Sequence, residues 1–417
     1  MPSAIIVGID TPYSEWPLSE SLVELRDLAR TAGVSVVGQM TQARQTPHPA
    51  SYLGTGKLLS LHAMCLDRGA TMVIADDELT PAQMRHMEKV LGLKVMDRTG
   101  LILDIFALRA RTAESQLQIE LAQLDYLLPR LTRLWTHLSR LGGGVGTRGP
   151  GEKQLEVDKR QIRRRMGVIR NKMVAIRMQR SVQRDRRFQV PLLSAAIIGY
   201  TNAGKSTLIN ALTQSDVLAE DRLFATLDPT TRRLSLPSSD QLLITDTVGF
   251  IQKLPHQLVT SFQTTLEEVT QADWLIHVID ATNPRWPAMV SVVNEVLTQL
   301  GAATTPQVMV FNKVDAIDGP DWPQGPPGIP VCHLSARTGQ RLESLLTLLD
   351  AQLASFRHLI TVRIPYQRMD IVHQLHEHGR VASIDYDADI RMTVDINRIV
   401  AERILSALHE PGGVSHG

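Results

Sequence analysis

Gly199, Tyr200, Thr201, Asn202, Ala203, Gly204, Lys205 and Ser206 stand directly behind the apolar run Leu192 to Ile198. Glycine, four residues, then Gly-Lys-Ser is the spacing of a phosphate-cradling loop between a strand and a helix. Successive backbone N–H groups in such a loop form an anion-binding concavity, and the helix that follows adds the positive end of its dipole. Lys205 is placed to reach the outer phosphates, the Ser206 hydroxyl to ligate Mg²⁺, and Thr207 to sit in the first helical turn. A second set, Asn312, Lys313, Val314 and Asp315, follows the strand-like run Val308 to Phe311. Open parallel sheets bind ligands at the carboxyl ends of their strands. A carboxylate there accepts two hydrogen bonds from the N1–H and exocyclic amine of guanine, a pair that adenine does not offer. Asp315 is therefore the candidate for base choice, with Asn312 and Lys313 bracing the loop and the base plane.

Two further segments complete the set. Asp246, Thr247, Val248 and Gly249 follow the apolar strand Leu242 to Ile244. Asp246 suits magnesium held through water, and the Gly249 N–H suits contact with a γ-phosphate. Ser335, Ala336 and Arg337 follow a fifth apolar strand and offer backbone N–H groups to the guanine oxygen. Each element lies in order behind a strand, which together implies a guanine-nucleotide site binding GTP and GDP with Mg²⁺.

The elements that must position these residues are of α/β class: a P-loop GTPase domain over 191–357, an α/β domain over 1–110 before it, and a small α/β domain over 358–417 after it. Strand patterns at Ala4 to Gly8, Val34 to Gly38, Thr71 to Ala75 and Lys94 to Met96 alternate with helix patterns at Leu18 to Ala32 and Pro81 to Leu91. Gly54, Thr55, Gly56 and Lys57 open another helix but lack the full phosphate-loop spacing, so a plain helix start is expected. In the last domain, His373, His376 and His378 have no acid or Cys nearby to complete a metal site.

Residues 111–190 read as a long antiparallel helical hairpin. Leu117, Leu121, Leu124, Leu128, Leu131, Trp135 and Leu138 keep a heptad rhythm, broken by Pro129. Leu155, Ile162, Met166, Ile169, Met173 and Ile176 resume it after a tip with six glycines among the ten residues 142–151. A 28-residue helix reaches about 40 Å. Between Lys159 and Arg187 stand twelve Lys or Arg residues and one acid, Asp185, a net charge of +11 in 29 residues. Such a block implies a polyanionic partner. Arg148 at the tip, with Arg163, Arg164, Arg165, Arg170 and Lys172 on the returning helix, is the candidate RNA-contacting set, and the shortage of aromatics favours folded RNA.

The chain of 417 residues is 43% hydrophobic and carries a formal net charge of only +1, so its charge is segregated. No apolar stretch approaches the roughly 20 residues of a membrane span. The first residues lack a signal peptide's basic front, and two distant cysteines, Cys65 and Cys332, offer no disulfide framework. A monomer in the cytoplasm is expected, with peripheral membrane association as a secondary location.

With the Gly-rich stretch 142–152, the loop 199–206, Phe224 to Asp228 and Asp246 to Phe250 in this order, the chain resembles the HflX family of ribosome-associated GTPases, over about residues 1–365. The resemblance implies binding to the large (50S) ribosomal subunit and its rRNA, and splitting or rescue of stalled ribosomes under stress. It also makes Phe224, Ala225, Thr226, Leu227 and Asp228 the switch over the γ-phosphate, with Thr226 a second magnesium ligand and Thr230 and Thr231 its rivals. Lys205, Thr226 and Gly249 become the catalytic set. Asn202 is similar to the asparagine that recruits K⁺ in some related GTPases. Many GTPases place a glutamine where Phe250 stands, so hydrolysis is expected to be slow until the ribosome supplies the missing element. Two other readings use the same motifs: a GTPase switch in RNA modification or ribosome assembly, and a regulator of a membrane protease.

Overall fold

The computed structural model describes residues 2–14, 16–131, 150–188, 192–213, 223–224, 226–238, 241–253, 263–317, 322–354 and 356–409. They form two units. The first holds residues 1–176 with the segments 220–228 and 251–264; the second holds the remainder.

The first unit begins with β1 (Ser3–Asp10), α1 (Leu18–Thr31), β2 (Ser35–Ala43), α2 (Thr55–Asp67), β3 (Met72–Ala75), α3 (Pro81–Leu91), β4 (Lys94–Asp97) and α4 (Arg98–Arg109). Strand order is β2-β1-β3-β4, and every pairing is parallel. Helical crossovers cover both faces of such a sheet, which is why β1 reads as one continuous apolar run and Ala4, Ile5, Ile6 and Val7 are wholly buried. Local signals set the helix ends. Thr80 and Gln83 form a reciprocal capping box with Pro81 in the first turn of α3, and Gly92 closes that helix in the left-handed region (φ 65°). Gly54 precedes α2 as an ordinary start, its N–H donating to Gln42 Oε1 at 2.8 Å.

Helix α5 (Ala113–Leu131) differs from the heptad reading. Its buried residues are Glu114, Ser115, Gln118, Ile119 and Ala122, whereas Leu117, Leu121, Leu124 and Leu128 are only half-buried. The reason is that α5 packs on α4, so its most enclosed face belongs to the α/β body. Asp97 fixes this contact: its wholly buried carboxylate accepts from Gly100 N, Leu79 N, the Tyr126 hydroxyl and Arg130 Nη2. Helix α6 (Pro150–Phe188) buries Met166, Ile169 and Met173, as its rhythm predicts. Pro150, Gly151 and Glu152, expected at the tip, are already its first turn, where a proline loses no helical hydrogen bond. Arg148 lies outside the described residues. Glu120–Arg165 and Asp125–Arg170 ion pairs join α5 to α6.

In the second unit come β5 (Leu193–Gly199), α7 (Lys205–Thr213), β6 (Thr230–Ser235), β7 (Gln241–Asp246), α8 (Gln263–Gln271), β8 (Trp274–Asp280), α9 (Trp286–Gln299), β9 (Gln307–Asn312), β10 (Val331–His333) and α10 (Leu342–Ala354). Sheet order is β10-β9-β8-β5-β7-β6, parallel except for β6 on β7. The chain then runs through β11 (Arg357–Ile364), α11 (Met369–His378), β12 (Arg380–Tyr386), β13 (Ile390–Asn397) and α12 (Arg398–His409), an antiparallel sheet ordered β11-β13-β12. This tail shares one apolar cluster with the larger sheet, from Leu193 and Ile197 through Leu349 to Met392 and Ile404. Arg403 fastens it, donating to the Leu192 carbonyl at 2.5 Å and pairing with Asp273 at 2.7 Å.

Asp97→Ala leaves Arg130 without its buried carboxylate and α4 without its cap. A loss of about 3 kcal/mol is expected, measured as the shift of the first urea transition of the intact chain. A loss below about 1 kcal/mol would mean that the four donors find other partners.

Candidate nucleotide site

The site forms where five strands end. Strand β5 delivers the chain to Gly199, whose φ of +145° suits glycine, and a Cβ there would strike the Val278 carbonyl of neighbouring β8. Gly204 (φ +92°) meets the same limit from β9, because a Cβ would strike Asn312 Nδ2. The spacing of the two glycines thus reflects how closely two strands approach the loop. Between them Asn202 takes φ +61° and is exposed, a left-handed conformation that asparagine tolerates. Tyr200, Thr201 and Ala203 are buried.

Lys205 opens α7 almost wholly out of water, and its Nζ donates to the carbonyls of Gly199 (3.1 Å) and Tyr200 (2.9 Å). Burial lowers its pKa to about 8, against the opposing pull of Asp246. Ser206 Oγ donates to Asp246 Oδ2 at 2.9 Å, and Thr207 is half-buried in the same turn. A hydroxyl and a carboxylate side by side are hard oxygen donors suited to Mg²⁺; these residues fit that ion.

Beyond Asp246, where β7 ends, the chain crosses beside the loop. Thr247 is wholly buried and donates to the Ile197 carbonyl at 2.6 Å; Val248 is buried beside it. Thr201 N donates to Phe250 O and Phe250 N to Gly199 O, at 2.7 and 3.1 Å. These bonds lay Gly249 against Lys205, where an added Cβ would come within 2.8 Å of Nζ. The Phe250 ring is buried.

Asn312 joins the loop to the last strand end. Its Nδ2 donates to Ala203 O at 2.8 Å, and its Oδ1 accepts from Ala336 N at 2.9 Å. Lys313, at φ +68°, pairs with Asp280 at 2.6 Å. Val314 is buried and its N–H meets Leu334 O, while Asp315 stands exposed in the 3-10 turn Val314–Ala316. Ser335 is wholly buried, Ala336 is buried and Arg337 is exposed.

The candidates between 224 and 228 belong to the first unit. Phe224 is buried edge-on against Phe106, with ring centroids 4.6 Å apart. Leu227 is buried and Thr226 half-buried. Asp228 turns its carboxylate to Arg111 N and to the N–H and hydroxyl of Thr112. Ala225 lies outside the described residues. Of the basic set, Arg163, Arg164 and Lys172 are exposed on α6, whereas Arg165 and Arg170 are engaged by Glu120 and Asp125. Sequence reasoning missed Asp280, although an acid ending a buried strand at the same level as Asn312 marks it. It also missed His277, buried beneath the loop with its pKa lowered to about 4 by burial and by Lys205. No helix among the described residues is long and apolar enough to cross a membrane.

Three family descriptions match the chain: "GTP-binding GTPase N-terminal" over residues 19–107, "GTP-binding GTPase Middle Region" over 109–187, and "50S ribosome-binding GTPase" over 194–313. The GTPase HflX of Caldanaerobacter subterraneus subsp. tengcongensis is 46% identical over 96% of this chain and 92% of its own length. The chain belongs to the HflX GTPase family. The HflX of Escherichia coli K12 is 43% identical over 84% of this chain and 82% of its own. A GTP-binding protein from Sulfolobus solfataricus in complex with GDP is 24% identical, covering 84% of this chain and 98% of that one at a TM-score of 0.45. As an HflX-family protein, the chain binds guanine nucleotide through its GTPase domain and hydrolyses GTP.

A triphosphate held by this loop would surround Lys205 with negative charge and raise its pKa again. GTP binding at pH 8 is therefore expected to take up about half a proton, and almost none at pH 6. Calorimetry in buffers of different ionisation enthalpy measures this. Equal uptake at both pH values would contradict the lowered lysine.

Proposed function

We propose that this HflX-family GTPase binds the large ribosomal subunit through its basic arm and splits or rescues ribosomes stalled under stress, with GTP hydrolysis resetting the cycle. The observation that carries this reading is the exposure of Arg163, Arg164 and Lys172 on α6, within a net +11 stretch. The match to a 50S ribosome-binding GTPase description supports it. Exposed basic side chains supply phosphate contacts without reading sequence. Arg165 and Arg170 contribute less, because their charges are already met inside the arm. The cytoplasm is the compartment that suits this role.

In the nucleotide site, Ser206 and Asp246 would hold Mg²⁺, with Thr226 the further ligand that the family resemblance implies, and the bound ion would neutralise charge developing on the phosphates. Lys205 adds a second positive charge, and the Gly249 N–H aligns the γ-phosphate. Asp315 accepts from the guanine edge while Asn312 and Lys313 hold its loop. Phe250 cannot align a water molecule and its ring is buried, so intrinsic turnover is slow. The Thr226 backbone would orient the water once the ribosome supplies or orders the missing element.

Charge reversal at Arg163, Arg164 and Lys172 together is expected to weaken binding to large subunits and reduce its salt dependence by about three ions, with GTP affinity unchanged. Co-sedimentation with a non-hydrolysable GTP analogue across a salt series measures both, and unchanged binding would remove the arm from the interface. Asp315→Asn should shift preference from guanine to xanthine nucleotides in competitive binding; retained GTP affinity would overturn the base assignment. Asn202 supports K⁺ as a further cofactor, so hydrolysis in KCl should exceed that in NaCl. Equal rates would exclude the ion.

A further inference from the structure

Two short segments of the GTPase sequence make their side-chain contacts in the first unit. Leu223 to Asp228 leads directly into β6, and Ile251 to Lys253 follows Gly249 and Phe250. Each meets a receptor built from groups distant in sequence.

Asp228 meets the start of α5. Thr112 stands at the cap position, its Oγ1 accepting from Ser115 N at 3.2 Å. Beyond that cap, Asp228 Oδ2 accepts from Arg111 N (2.9 Å) and Thr112 N (3.2 Å), and Oδ1 accepts from the Thr112 hydroxyl (2.7 Å). A carboxylate from another segment thus satisfies N–H groups at a helix start and faces the positive end of its dipole. Burial opposes ionisation of Asp228, yet these hydrogen bonds hold its pKa below the ordinary value.

Lys253 meets an acidic pair. Its Nζ lies 2.5 Å from Asp76 and 2.6 Å from Asp77, and its backbone takes φ +53°, an uncommon conformation for lysine. Asp76 is wholly buried and also accepts from Ser21 and Arg98. Arg98, buried as well, reaches Glu24 and the carbonyl of Gln252. One cluster therefore grips both the side chain and the backbone of the segment that follows Gly249.

We propose that Asp228 and Lys253 are positioning residues for GTP hydrolysis, tying both nucleotide-responsive segments to the first unit, so that nucleotide state sets how firmly the amino end of α5 is capped. The link runs along the chain. Gly249 lies against Lys205, and Lys253 is four residues on. Movement of the Asp246 to Gly249 segment strains or relieves the Lys253 grip, and movement ahead of β6 withdraws or restores the Asp228 carboxylate. By linkage, a ligand that favours the capped α5 favours one nucleotide state equally. This inference rests on GTP hydrolysis alone and stands whatever the arm binds.

The test uses the full chain and hydrogen exchange at the amides of Arg111, Thr112 and Ser115, with GDP and with a non-hydrolysable GTP analogue. Exchange in the unaltered protein is expected to differ between the two by about fivefold or more, the size of one cap. Lys253→Met should shrink that difference and lower kcat about fivefold with KM within about twofold. Lys253→Arg should restore both. The methionine variant keeps Arg98 to neutralise Asp76, so the fold survives. Equal exchange in both nucleotide states, or a Lys253→Met protein with unaltered kcat and exchange difference, would overturn the proposal.

Discussion

An ammonium group shut away from water is the constraint around which the candidate nucleotide site is built. Lys205 is buried, and two loop carbonyls and the Asp246 carboxylate are its nearest compensation. Water is excluded because the loop wraps closely, and the loop wraps closely because Gly199 and Gly204 leave no room for a side chain against β8 and β9. A charge held this way interacts strongly with an anion and needs little rearrangement to meet it. The strand order, the Asn312 brace and the Thr247 anchor all serve to keep that charge in place.

Much of this was legible in the sequence because it is local. Apolar runs of three to seven residues, followed by glycine, aspartate or asparagine, revealed the parallel strands and their carboxyl ends, and the Gly-x4-Gly-Lys-Ser spacing encoded the loop turn. What stayed hidden depends on partners far apart in sequence. Asp228 and Arg111 are separated by 117 residues, and Lys253 and Asp76 by 177. The sequence marks Asp228 only as part of the expected switch, and Lys253 not at all. The contacts of both become visible once the fold brings their partners to them.

The helical region shows a different reason for misreading. The leucine rhythm of α5 anticipates one seam, but the helix has two neighbours to satisfy. Gln118, Ile119 and Ala122 take the most enclosed position, while Tyr126 and Arg130 are committed to Asp97. Periodicity reports that a face is apolar without saying which neighbour will cover it. Charge counting on α6 has the same weakness, since two of its arginines are consumed by acids on α5 that composition cannot assign.

The Arg403 clasp has a consequence for how the protein is made. Its partners, Leu192 and Asp273, precede it by 211 and 130 residues, and the apolar cluster that stabilises β5 is completed by Met392 and Ile404. A ribosome that has just emitted the phosphate loop has not yet translated the helix that seals the base of its sheet. The base of that sheet therefore closes only after Arg403 and Ile404 have been made, long after the loop itself.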